Sequence, residues 1–111
     1  MLAAFDPNTN TIKYTDNVTE YLMAHEHYHA EEMYKIGFDK YVKDAPLAHV
    51  KEVDYTAKNW QSIYKREKYV YDQINKNAKV FNLNVQEIWH SWAYIEEIKF
   101  KLTELNIKIP K

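Results

Sequence analysis

His25-Glu26-His27-Tyr28-His29 sets two imidazoles four residues apart, with a carboxylate directly after the first. On a helix, residues i and i+4 share a face, with Cβ atoms about 6 Å apart. Two imidazole nitrogens so spaced can both sit about 2 Å from one zinc ion. Glu26 points about 100° further around such a helix, which keeps it out of the ligand set. It reaches instead a water on the metal's open side, the place of a general base. The chemistry this spacing allows is metal-assisted hydrolysis. The bland alternative is a pair of hydrogen-bonded core histidines beside a solvated Glu26. His27 faces the other way and reads as a surface residue.

A catalytic zinc takes three protein ligands and keeps a fourth position open. The extended pattern H-E-x-x-H-x-x-G-x-x-H needs glycine and histidine at positions 32 and 35, where this chain has Glu32 and Lys35. The third ligand must therefore come from elsewhere. Glu67 is the first choice, because it interrupts the apolar stripe Trp60, Ile63, Tyr64, Val70, Tyr71 and Ile74. An ionised carboxylate buried alone there would cost several kcal/mol, and a cation removes that cost. Glu32, Glu52, His49 and His90 are the alternatives, and Glu67 could instead pair with Lys68 or Arg66. Asp72 is a weak candidate to orient a ligand histidine, with a solvated role preferred. For the oxyanion of a tetrahedral intermediate the choice lies among His90 and ten tyrosines; Tyr71, one turn from Glu67, is the nominal one.

These groups need elements to hold them. Val18, Tyr21, Leu22, His25, Tyr28, His29, Met33 and Ile36 recur at steps of three and four, which predicts a helix from Val18 to Ile36. Asp16 or Asn17 would cap it, and Gly37, the only glycine, stands where a helix ends. A short helix over Phe38 to Lys43 stops at Asp44-Ala45-Pro46. A third helical region runs from about Leu47 to Asn77, with a break near Asp54. Asn84 and Glu87 form a capping box for a last helix carrying Ile88, Trp92, Ile95, Ile98, Leu102 and Leu105. Asn106 to Lys111 reads as a loose end. Before all of these, Leu2 to Phe5 and Thr11 to Thr15 flank the turn cluster Asp6-Pro7-Asn8-Thr9-Asn10 and read as a hairpin. Two strands alone are marginal, so the hairpin must lean on a helix. Its edge near Thr11 to Thr15 offers a place for a substrate strand to add. The fold class is α+β, mostly helical, with an N-terminal β-hairpin and three to four helices.

Composition removes other classes. At 111 residues the chain fits one domain, residues 1–111. Fifteen basic against sixteen acidic residues argue against nucleic acid as a partner. The absence of cysteine removes disulfides, thiolate zinc sites and a cysteine nucleophile. No apolar run approaches the roughly 20 residues of a membrane span, which argues against a membrane partner. The N-terminus lacks the pattern of a signal peptide, so the chain is expected to be cytoplasmic or carried across a membrane by something larger.

Three stretches carry a family resemblance: Phe5-Asp6-Pro7 through Ile12-Lys13-Tyr14, His25-Glu26-His27-Tyr28-His29, and Lys35-Ile36-Gly37-Phe38-Asp39. Together they resemble the zincin-like metallopeptidase toxin domains at the C-terminal ends of bacterial polymorphic toxins, including the YD-repeat type. Arg66-Glu67-Lys68-Tyr69-Val70-Tyr71-Asp72 is similar to the segment that follows the active-site helix there. The resemblance implies a minimal zincin-like domain, the C-terminal part of a larger toxin. It implies Zn2+ as cofactor, with His25 and His29 as ligands and Glu26 as base. It also implies a protein or peptide substrate in a rival or host cell, delivery as a secreted effector, and a cognate immunity protein in the producer. The chain differs from larger zincins in having no evident multi-stranded sheet over the helix. A zinc-dependent metallopeptidase is thus the expected function; a non-catalytic metal-binding or helical interaction module is the alternative.

Overall fold

A computed structural model describes residues 3–80 and 82–111. Leu2, expected in the first strand, lies outside them. Strands β1 (Ala3–Asp6) and β2 (Thr11–Tyr14) pair antiparallel, with Ala3 opposite Tyr14 and Asp6 opposite Thr11. Asp6 Oδ1 accepts the Asn8 N–H at 3.0 Å, and Asn10 takes a left-handed φ of 51°. The side chain thereby closes the turn that the Asp/Asn cluster foreshadows. The hairpin does lean on a helix: β1 lies against α1 (Glu20–Ile36), with Ala3 buried.

Helix α1 begins two residues later than the periodicity implies, and its cap is Thr19 rather than Asp16 or Asn17. The chain leaving β2 first makes a turn, with the Val18 N–H bonded to the Thr15 carbonyl at 3.1 Å, so Val18 is spent before the helix begins. Thr19 Oγ1 then accepts the Leu22 N–H at 3.2 Å. At the other end Gly37 has φ 88°, a conformation side chains rarely adopt, and its N–H closes onto Met33. That single residue turns the chain into α2 (Phe38–Val42).

The third helix is shorter than expected. Residues 47–55 form turns with a 3-10 segment at Glu52–Asp54, and α3 spans Ala57–Lys76. Thr56 and Asn59 make a reciprocal capping box there. Asparagine in the third position hides this box from the usual glutamate or glutamine signature. Asn59 and Ser62 also donate to the Asp44 and Lys43 carbonyls, at 2.8 and 3.0 Å, which straps the end of α2 to α3.

Helix α4 (Val85–Glu104) opens on the expected Asn84–Glu87 box. Helix α3 is central, with α1 on one side and α4 on the other. Tyr21, Ala24, Tyr28, Val70 and Ile74 form the α1/α3 core. Trp60, Tyr64, Ile95, Ile98 and Leu102 form the α3/α4 core. Each fully buried aliphatic residue contributes about 1.5–3 kcal/mol by leaving water. The buried face of α4 is turned from the expected one: Ser91 is buried, whereas Trp92 and Leu105 are exposed. The C-terminal segment is also docked rather than loose. Ile107 and Ile109 pack on the α3/α4 core, and Gln61 donates to the Lys108 carbonyl at 2.8 Å.

Candidate metal centre

The two turns of α1 that carry His25 and His29 face α3, and α3 presents Glu67 to them. His25 Nε2 lies 3.1 Å from Glu67 Oε2, and His29 Nε2 lies 3.2 Å from Glu67 Oε1. One ligand atom from each residue lies within 4.8 Å of the others. Donors held about 2.0–2.2 Å from a tetrahedral ion stand about 3.3–3.6 Å apart, close to the observed spacings. The site is screened from water: His29 is buried and Glu67 exposes 15 % of its side chain. Glu67 Oε2 is buried, and apart from its ion-pair contact with His25 Nε2 no hydrogen bond satisfies it. A buried carboxylate oxygen so poorly satisfied is costly in a protein interior. Two imidazoles and one carboxylate converging there fit a divalent cation, and the donor set suits zinc.

The charges agree with this crowding. Burial pushes the Glu67 carboxyl up, but the imidazoles of His25 and His29 outweigh it and hold its pKa at about 2. Burial pulls the His29 pKa down, and the Glu67 carboxylate more than reverses it. In metal-free protein the pair stabilises the fold only over a bounded pH range. Glu67 contributes stability above its ordinary 4.5 and loses it as pH falls towards 2. His29 contributes fully below its ordinary 6.5 and loses that contribution as pH rises through its higher folded value. Chelator-treated protein should therefore melt highest between about pH 4.5 and 6.5 and less stably on both sides. A melting temperature that climbs steadily from pH 5 to pH 9 would contradict the pairing.

The charged neighbours of Glu67 are engaged elsewhere. Arg66 Nη1 lies 3.1 Å from Glu32 Oε1, and Lys68 bonds Asp72. Glu32 is thus a buried partner of Arg66, not a member of the cluster, and Asp72 is solvated with its lysine. His90 is exposed and bonds the Tyr21 hydroxyl at 3.2 Å, while His49, Glu52 and His27 are exposed and outside the cluster.

Tyr71 does not stand where an oxyanion donor would be needed. It packs on the α3/α4 core beneath the Lys68 ammonium, 5.4 Å from its ring centroid. Four residues along a helix advance the direction by about 40° beyond a full turn, enough here to carry Tyr71 from the α1 side of α3 to the α4 side. Two other tyrosines flank the cluster. Tyr41, from α2, places its hydroxyl 3.1 Å from His29 Nδ1. Tyr94, from α4, has its ring 6.2 Å from that of His25, and its hydroxyl makes no hydrogen bond to any described residue. Burial, with Glu32 adding for Tyr41 and Glu67 for Tyr94, raises both phenols far above their ordinary range, so both stay neutral donors. Neither had a signal in the sequence. Helix α2 is too short for periodicity, and Tyr94 lies outside the apolar stripe of α4.

Glu26, His25, His29, Glu67 and Tyr94 line one cavity of about 390 Å³. Its apolar walls are Ala4, Phe5 and Pro7 from the first strand and its turn, Val42 at the end of α2, Ala45 and Pro46 after it, and Ile63 from α3. The strand beside the cavity is therefore β1, and not the Thr11 to Thr15 edge. Among the described residues, no helix is long and apolar enough to cross a membrane.

The family model for metallopeptidase toxin 4 matches residues 1–57, just over half of the 111. The chain belongs to that family and is a metallopeptidase toxin domain. The matched part holds the hairpin, α1 with its His25-to-His29 motif, and α2; Glu67 and Tyr94 lie beyond it. No curated protein and no solved structure matches the chain.

Proposed function

We propose that this domain is a zinc-dependent peptidase of the H-E-x-x-H zincin class, with a glutamate as third ligand. The observation that carries the reading is Glu67: a carboxylate delivered by a second helix to both histidines of the motif, one oxygen facing each imidazole at 3.1 and 3.2 Å. His25, His29 and Glu67 would hold the ion. Zinc bound there would polarise the scissile carbonyl and lower the pKa of a water to about 7.

The chain's own groups do the rest. Glu26 lines the cavity from the same helix and takes the proton of the attacking water, then returns it to the leaving amine. Tyr94 replaces Tyr71 as the oxyanion donor, because its neutral hydroxyl is uncommitted and its ring faces the same cavity. Tyr94→Phe should lower kcat about 10²–10³-fold with zinc affinity preserved; a kcat within threefold of wild type would remove it from the mechanism. An extended peptide laid beside β1 would put one side chain among Phe5, Val42, Pro46 and Ile63, an apolar setting.

Membership of a toxin family supports a protein substrate inside a target cell, delivery as part of a larger chain, and a cognate immunity protein. The direct test is cleavage of a denatured protein by purified domain. A chelator such as phenanthroline should abolish cleavage, and stoichiometric zinc should restore it. Cleavage that survives complete zinc removal would refute the reading.

A further inference from the structure

Zinc-binding histidines donate their second ring N–H to a carboxylate, a backbone carbonyl or a water, of which the first two only accept. His29 has a tyrosine hydroxyl there instead. Its Nδ1 meets the hydroxyl of Tyr41 at 3.1 Å, a group that both donates and accepts. The difference matters because Nε2 of the same ring faces Glu67 Oε1 at 3.2 Å. Without metal, a neutral His29 in this position carries its proton on Nε2, directed at the carboxylate. Nδ1 is then an acceptor, and only a donor can satisfy it in so buried a place. With a cation on Nε2 the single proton must sit on Nδ1, which then needs an acceptor. A carboxylate would suit only the second arrangement. The phenol suits both.

We infer that Tyr41 is the positioning residue of His29, a hydroxyl that reverses its hydrogen bond when Nε2 of the neutral ring exchanges Glu67 for a metal ion. The inference rests on the zinc reading above. The exchange balances: one proton leaves Nε2 for water, one arrives from water at Nδ1, and the imidazole stays neutral.

The surroundings hold the phenol in place. Tyr41 and His29 are each 8 % exposed. The Arg66 guanidinium lies 5.1 Å from the Tyr41 ring centroid, and its Nη2 donates to the Lys40 carbonyl at 3.2 Å. Phe5 closes the other approach edge-on, 6.0 Å between centroids. Helix α2 has five residues and could not fix a side chain unaided; Arg66, Asn59 and Ser62 fasten it to α3. The aim of His29 is thus set by a residue twelve positions further along the chain.

The test combines zinc titration against a chromophoric chelator with nitrogen-15 NMR of the histidine rings in the full chain. At alkaline pH, where His29 is neutral, the proton should be on Nε2 in metal-free wild type and on Nδ1 in the zinc form. Tyr41→Phe should weaken zinc binding by about 10–100-fold. A wild-type proton on the same nitrogen in both forms, or a Tyr41→Phe zinc affinity within twofold of wild type, would overturn the inference. Should Tyr41→Phe fail to fold, the wild-type NMR decides alone. Wild-type protein that takes up no zinc overturns the inference together with the zinc reading. Zinc-binding wild type with an insensitive Tyr41→Phe overturns the inference alone.

Discussion

Glu26→Gln should abolish peptidase activity while leaving the zinc content unchanged. The amide is nearly the same size and cannot accept the proton of the attacking water. A general base contributes about 10²–10⁴-fold to such a step, so kcat should fall by that factor. Glu26 is outside the His25, His29 and Glu67 cluster, so the variant should still bind one zinc per chain. Toxicity on expression inside cells should disappear with the activity. Metal content and single-turnover cleavage measured on one preparation check both halves. Cleavage within tenfold of wild type would assign the base elsewhere. Parallel loss of zinc and activity would make Glu26 a ligand or a structural residue.

Glu67→Gln should fail at the earlier stage of binding. The amide keeps the shape but not the charge that faces both imidazoles at 3.1 and 3.2 Å. Groups that merely orient a ligand are worth about 10–100-fold in affinity, so removing a direct ligand should cost more than about 100-fold. Activity should return only in part, and only at high zinc. The variant also separates Glu67 from a purely structural partner of the histidines. A structural carboxylate would, on removal, lower the melting temperature of metal-free protein and leave zinc affinity alone. The metal-free form should melt lower in either case, so isothermal titration with zinc distinguishes the two.

The parts of this site that were legible in the sequence are those set by local geometry. His25 and His29 share a face because four residues nearly complete a helical turn. Glu67 stood out because a carboxylate inside an apolar stripe needs a compensating partner, and the structure indeed sets it against both imidazoles. The Asn84–Glu87 box and the Gly37 stop follow from backbone groups that every helix end must satisfy. What was illegible depends on contacts between distant segments. Tyr41 reaches His29 only because Arg66, Asn59 and Ser62 strap α2 to α3. Tyr94 reaches the cavity only because α4 lies against α3. The C-terminal isoleucines look like a loose end until the α3/α4 groove receives them. Tyr71 misled because spacing along one helix does not reveal where its two neighbours divide its surface.

The most direct test is X-ray absorption at the zinc edge on protein purified without chelator, paired with elemental analysis. One zinc per chain is expected, in a shell of two imidazoles, one carboxylate and one solvent oxygen, with an imidazole missing or the ion lost in His29→Ala. Protein that contains no zinc, or whose zinc shell is unchanged in His29→Ala and Glu67→Gln alike, would contradict it.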